Sequence, residues 1–236
     1  MRAKLPPLPA VQFGMPAVVR PVRHDRTRLR REFIGAVCLA ATSVASAYTA
    51  TLNPAAPQTL YLQIGAGSFT NCYTCSPQGT PGTNTTINTV STTVAANAVG
   101  NGTAQPMTTD SAVTKSYWDN FTYCTVPGQL YIGGFYRTTS NTNTVAQVIA
   151  TVPVAMTDTA GDTIPFSKIK WTSSGIQDTG AEPFPAGTFL SGGTQNVGSM
   201  NSNTWNESCW TFSYLNNSAA PGGTYTGVVL YTMSAP

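Results

Sequence analysis

Cys209-Trp210-Thr211-Phe212-Ser213-Tyr214 alternates without a break: Trp210, Phe212 and Tyr214 fall on one side, Cys209, Thr211 and Ser213 on the other. Successive side chains of a strand point to opposite faces, so this spacing gives one aromatic surface to bury and one small, hydroxylated surface. The same period recurs in both directions along the chain. Residues 59–64 place Leu60, Leu62 and Ile64 together, residues 87–94 place Val90 with Val94, and residues 129–136 form a further strand. In 144–154 both faces are apolar, Val145 and Ile149 against Ala146, Val148 and Ala150, which predicts a strand buried on both sides. In 167–171, Ile169 and Trp171 oppose Lys168 and Lys170; in 224–233, Tyr225, Val229, Tyr231 and Met233 oppose Thr226, Val228, Leu230 and Thr232. Residues 107–118 admit either a short helix capped by Asp110 or an irregular run. About eight short strands between Gly, Pro, Asn and Thr turns, without a long amphipathic helix, predict an all-β fold. The architecture expected is an antiparallel β-sandwich, Ig-like or jelly-roll-like, in one domain over residues 48–236.

The segment before that domain has a different character. Residues 33–47 read Phe-Ile-Gly-Ala-Val-Cys-Leu-Ala-Ala-Thr-Ser-Val-Ala-Ser-Ala, behind Arg28, Arg30 and Arg31. A basic stretch, an apolar run and a closing Ala45-Ser46-Ala47 predict a cleaved signal peptide over 1–47. The run falls short of the roughly 20 apolar residues that span a bilayer, so no transmembrane anchor is expected after cleavage. Arg30-Arg31-Glu32-Phe33-Ile34 resembles a twin-arginine export signal, and the Sec route fits equally. Either route predicts a secreted, periplasmic or cell-surface protein. Met15 offers an alternative start, and Cys38 is expected to leave with the leader.

Charge divides at the same boundary. Residues 1–47 hold eight bases and two acids, net +6, whereas the remaining 189 residues hold four bases and seven acids, net −3. The basic character of the whole chain therefore belongs to the leader, and the domain lacks the positive surface that a nucleic-acid partner requires. Sparse charge does not imply disorder here, because all four Trp and all ten Tyr follow residue 47; a disordered chain is poor in aromatics.

Four cysteines follow the leader: Cys72, Cys75, Cys124 and Cys209. An even number in an exported chain predicts disulfides, and four allow three pairings that sequence alone does not choose between. The preferred pairing joins Cys124 to Cys209, each beside an aromatic strand, and leaves Cys72 with Cys75 to hold a local loop. The longer link is worth about 4 kcal/mol in the chain-entropy account. Cys72-Tyr73-Thr74-Cys75 has the spacing of a redox motif, but Ser76-Pro77-Gln78-Gly79 follows it, not the helix that activates such a thiol.

Catalytic groups are scarce. The single histidine, His24, lies in the leader, which removes Ser-His-Asp and Cys-His arrangements. Ser167 and Lys168 are adjacent strand residues and point apart. Asp178 and Glu182 are a carboxylate pair in a Gly/Pro loop, with nothing to fix their separation. Asp158-Thr159-Ala160-Gly161-Asp162 suits either a calcium loop or a hairpin turn with Gly161 at positive φ, and the turn is the preferred reading. The expectation is a protein that is not an enzyme and takes no cofactor or metal. Sequons stand at Asn84, Asn101, Asn120, Asn206 and Asn216. Tyr117, Trp118, Phe135, Tyr136 and Trp205 are the aromatics most suited to stacking on a sugar or other ligand.

The closing stretch Gly222-Gly-Thr-Tyr-Thr-Gly-Val-Val-Leu-Tyr-Thr-Met-Ser-Ala-Pro236 resembles the last strand of bacterial secreted β-sandwich surface proteins. These are the spore coat protein U-like, pilin-like and WxL-like families, in which a similar segment enters the final strand. The resemblance implies an Ig-like sandwich with an extracellular structural or adhesive role, fimbrium-like, and brings no catalytic residues. The partners expected are further copies or other surface subunits, joined through the sheet edges at 59–64 and 224–233. The alternative is an extracellular carbohydrate- or ligand-binding module.

Overall fold

Fourteen short strands form among the described residues, which are 50–54, 58–139, 144–175 and 180–236 of the computed structural model. The expected leader over 1–47, with Cys38 and His24, lies outside them, as does Asp178. In chain order the strands are β1 (Ala50–Thr51), β2 (Thr59–Ile64), β3 (Val90–Ser91), β4 (Gln105–Pro106), β5 (Thr108–Thr109), β6 (Leu130–Arg137) and β7 (Val145–Val152). There follow β8 (Ala155–Thr157), β9 (Thr163–Pro165), β10 (Ile169–Ser174), β11 (Gly187–Thr188), β12 (Gly193–Asn201), β13 (Thr204–Tyr214) and β14 (Leu230–Ser234). The larger sheet runs β11-β10-β13-β6-β2, with β1 and β4 pairing along β13; the smaller runs β12-β7-β14. All ladders between these strands are antiparallel. The fold is an all-β sandwich.

Aromatic alternation builds the layer between the sheets. Trp210, Phe212 and Tyr214 of β13 join Ile169 and Trp171 of β10 and Leu130 and Ile132 of β6. They pack with Val148, Ala150 and Val152 of β7 and Val197 and Met200 of β12. Trp171 and Trp210 sit 5.2 Å apart, centroid to centroid. Burial of each such side chain contributes about 1.5–3 kcal/mol, provided its polar atom finds a partner. The Pro-flanked segment before β11 supplies those partners: Trp171 Nε1 donates to the Pro185 carbonyl at 2.9 Å and Trp210 Nε1 to that of Phe184 at 3.0 Å.

Several expectations are corrected. The strand buried on both faces is β6, not β7: all of Leu130–Tyr136 is buried. In β7 only Ala146, Val148, Ala150 and Val152 are buried. Its other face carries Val145, Gln147 and Thr151, which are exposed, and the half-buried Ile149. Residues 87–94 form only the two-residue β3, paired with β5. Residues 107–118 are irregular beyond β5; Asp110 caps no helix, and its carboxylate accepts from Asn88 Nδ2 at 2.8 Å and Thr89 N at 2.9 Å. Residues 166–168 form a 3-10 turn ahead of β10. The final ladder begins at Leu230, because the Gly-rich 222–229 stays outside it. β12, which pairs with β7 along its length, was not anticipated.

The two sides of the sandwich differ. At one, the chain crosses directly from β11 to β12, and the Gln195 amide clasps the crossing through Leu190 N (3.0 Å) and the Thr188 carbonyl (2.9 Å). At the other, β2 ends the larger sheet and β14 ends the smaller, and among the described residues no strand lies beyond either. The outward face of the smaller sheet carries Thr, Asn, Ser, Gln, Val, Ile and Leu and no charged residue.

Candidate functional site

Two features stand apart from the core: the loop-covered outer face of the larger sheet, and the seam where its β2 edge meets β14. The first is set by the β6–β13 register, which aligns Trp205 with Phe135 and Glu207 with Gly133. Odd-numbered residues of both strands therefore point away from the sandwich core. Loops 65–82 and 110–125 cross this face, pinned by two disulfides, Cys72–Cys75 and Cys124–Cys209, with Cα separations of 5.0 and 5.6 Å. The preferred pairing is the one observed.

Backbone bonds stitch the loops together. Tyr73 N donates to the Tyr117 carbonyl at 2.8 Å and Thr74 N to that of Trp118 at 2.9 Å, and Thr74 Oγ1 reinforces the second at 2.9 Å. Beneath them Tyr61, Phe135 and Trp205 form a small second core, with Phe69, Tyr73, Tyr117 and Trp118 half-buried against it. Tyr73 stacks on Trp118 at 5.2 Å and 12°, and the Arg137 guanidinium lies 5.9 Å from the Tyr73 ring centre.

Of the five aromatics singled out, four meet here. Trp205 and Phe135 are buried at 4% and 1%, so they are packing residues and not an open platform. Tyr136 is also buried and points to the opposite side of β6. Tyr117 and Trp118 alone keep a solvent-facing portion, and Trp118 spends one ring face on Tyr73.

Beside this cluster stands a group the sequence reading passed over. Glu207 lies on β13 between Trp205 and Cys209, directed under the 114–123 loop. Its carboxylate accepts from Ser116 Oγ at 2.8 and 2.9 Å, from the Tyr131 hydroxyl at 2.7 Å and from Trp205 Nε1 at 3.0 Å. Its carbonyl accepts from the Tyr123 hydroxyl at 2.9 Å. Burial raises the Glu207 pKa above the ordinary carboxyl value, against the lowering effect of its three donors, and the nearby Asp119 charge adds to the rise. Burial, then the Glu207 charge, pushes the Tyr131 hydroxyl up as well. Ser116 beside a carboxylate resembles a nucleophile with its base, but the residue is 3% exposed and its hydroxyl is already shared between both carboxylate oxygens. The arrangement is a latch holding the loop to the sheet. Strand alternation from Trp205 and Cys209 was the signal that could have located it.

No family model, curated protein or solved structure matches this chain. Function must be argued from the geometry.

The other sequence candidates disperse. Asp158 Oδ1 accepts from Ala160 N at 3.0 Å and Asp162 N at 2.8 Å, closing a β8–β9 hairpin turn in which Gly161 has φ of 93°. Lys168 Nζ donates to Asn217 Oδ1 at 2.7 Å, while Ser167 bonds to Ser191. Glu182 accepts from Ser208 Oγ at 2.8 Å. The sequon residue Asn216 is fully buried; its amide donates to Ala98, Asn101 and Thr103 and accepts from Gly100 N, so it organises a loop and offers no nitrogen to a glycan.

The second feature is the seam. A groove of about 350 Å³ runs between the edges, lined by Leu62 and Ile64 of β2, Leu230 and Tyr231 of β14, and Gly82 and Asn84 from the rim. Antiparallel pairing alternates inward and outward N–H groups. Because Gly65 N donates to Tyr131 O, the N–H groups of Leu60, Leu62 and Ile64 point away from β6 toward the open edge. Among the described residues, no helix is long and apolar enough to cross a membrane.

Proposed function

We propose that this protein is a secreted or surface-exposed, non-catalytic structural subunit, of a pilus-, coat- or fibre-like or adhesive kind, whose copies associate through sheet edges. The observation that carries this reading is the open seam. Two edge strands, one from each sheet, border one groove whose lining mixes Leu62, Ile64, Leu230 and Tyr231 with Gln63, Ser68, Asn84 and Thr86, while the opposite side is closed by the β11–β12 crossing. An edge strand offers unpaired backbone groups, and an added strand gains ladder bonds for strength and alternate side-chain pockets for register. Two disulfides suit the oxidising environment outside the cytoplasm. Few charges oppose close packing of identical copies.

Sedimentation velocity of the folded, disulfide-intact protein over a range of concentrations tests the reading. Concentration-dependent assembly is expected, and Leu60→Lys, which places a charge on an edge position 45% exposed, should shift it to monomer while far-UV circular dichroism stays unchanged. A wild-type monomer at every concentration overturns the reading.

A second reading, a glycan- or ligand-binding module, rests on the stacked Tyr73–Trp118 pair at the surface. It requires glycan-array binding that Trp118→Ala abolishes.

A further inference from the structure

β14 is an edge strand, like β2, β11 and β12, but a long connector leads into it. It pairs along one side only, five residues against β7, from Leu230 opposite Thr151 to Ser234 opposite Gln147. The preceding 13 residues, 217–229, belong to no strand and are mostly exposed. They meet the body through a pair of backbone bonds between Thr157 and Thr226, of 2.9 and 3.0 Å, through Lys168 Nζ on Asn217 Oδ1 at 2.7 Å, and through Gly227 and Val229 against the core. Fully extended, such a segment reaches on the order of 45 Å, about the width of a domain of this size.

Yet β14 fills a demanding site. Val229, Tyr231 and Met233 pack against the main core, with Tyr231 6.1 Å from Trp210. Lifting β14 away would open a trough continuous with the groove beside β2, exposing apolar side chains and the whole outer edge of β7. The trough must then be refilled, and the strand that fits it in register is already known: it is β14.

We propose that β14 is exchangeable between copies, so that the β7 edge of one molecule receives Leu230–Ser234 of a second. This rests on the reading of the chain as a self-associating subunit and names the element that joins the copies. Exchange conserves every ladder bond and core contact of β14. Its cost is confined to re-routing the 217–229 connector and to the entropy of association. The uncharged outer face of the smaller sheet raises no repulsion between the joined molecules.

A cross-link trapped across the β7–β14 ladder tests it. Ile149 and Thr232 are directly opposed and both point outward; at cross-strand Cα distances of about 4.5–5.5 Å, paired cysteines can form a disulfide. The full chain carrying I149C and T232C, with native disulfides intact, is concentrated, separated by size exclusion and mildly oxidised. In the assembled fraction the new disulfide is expected to join chains, giving dimers and higher bands on a non-reducing denaturing gel that collapse on reduction. In the monomer fraction it closes within the chain. An assembled fraction whose chains run as internally bonded monomers overturns β14 exchange and leaves edge association standing; no assembled fraction at any concentration overturns both. Should the first pair impair folding, T151C with L230C reads the same ladder one step along.

Discussion

Replacing Glu207 separates what its charge costs from what its hydrogen bonds contribute. Glu207→Ala strands three donors, Ser116 Oγ, the Tyr131 hydroxyl and Trp205 Nε1, in partly or fully buried positions. Each orphaned donor costs about 1–3 kcal/mol, and water entering beside Ser116 relieves part of the sum, so a loss of about 3–5 kcal/mol is expected. Glu207→Gln keeps an acceptor oxygen and adds an amide that can donate to Ser116, so it should stay within about 1 kcal/mol of wild type at neutral pH. The pH dependence is the sharper readout. Because the folded-state pKa is raised, the native protein binds the proton more tightly than the unfolded chain does. Below the ordinary carboxyl range both states are protonated and the contribution is flat. As pH climbs from there to the raised value, the unfolded chain gives up its proton while the native state keeps it, and stability falls; above the raised value it levels off. Urea midpoints followed by tryptophan fluorescence across mild acid to neutral should show that decline in wild type and its absence in Glu207→Gln. An unchanged slope in the Gln variant, or an Ala variant less than about 1 kcal/mol below wild type, refutes the latch.

Further outcomes follow from the same structure. Replacing Cys124 and Cys209 together by Ser should cost about 4 kcal/mol and replacing Cys72 with Cys75 about 2 kcal/mol, since the second pair closes so short a loop; urea midpoints of the two double variants rank them. Gly134→Ala should cost about 3 kcal/mol in the same assay, because its Cβ would overlap the Tyr61 carbonyl of the neighbouring strand and push β2 from β6. Asn216→Ala should lower stability by about 2 kcal/mol and speed amide exchange at Gly100, whose N–H it accepts at 2.8 Å, more than at Gly102, which bonds to the Asn216 backbone.

Where one face of a strand is apolar and the other polar, period two suffices to place it. That condition held for β10 and the 209–214 half of β13; in β2 the period located the strand, but Tyr61 and Gln63 are the buried residues, not Leu60, Leu62 and Ile64. It failed for β12, whose Gly193-Thr-Gln-Asn-Val-Gly-Ser-Met-Asn201 looks like turn material because only Val197 and Met200 are buried apolar residues, and a register shift between Asn196 and Gly198 breaks their spacing. It misled for β7, since a run of small aliphatics reads the same whether its second face meets protein or water. At the outer face, disulfide pairing and aromatic clustering were legible because both lean on β6 and β13. The burial of Phe135 and Trp205 was not, since it depends on loops arriving from far along the chain.

The smaller sheet's bare outer surface has a consequence for how the protein meets its surroundings. With no ions fixed there, changes in ionic strength have little to screen across that face, and its behaviour is governed by how readily hydroxyl and amide groups release their water. Conditions that withdraw water, such as sulfate salts or drying, should press such faces toward contact, whereas sodium chloride at moderate strength should leave them indifferent.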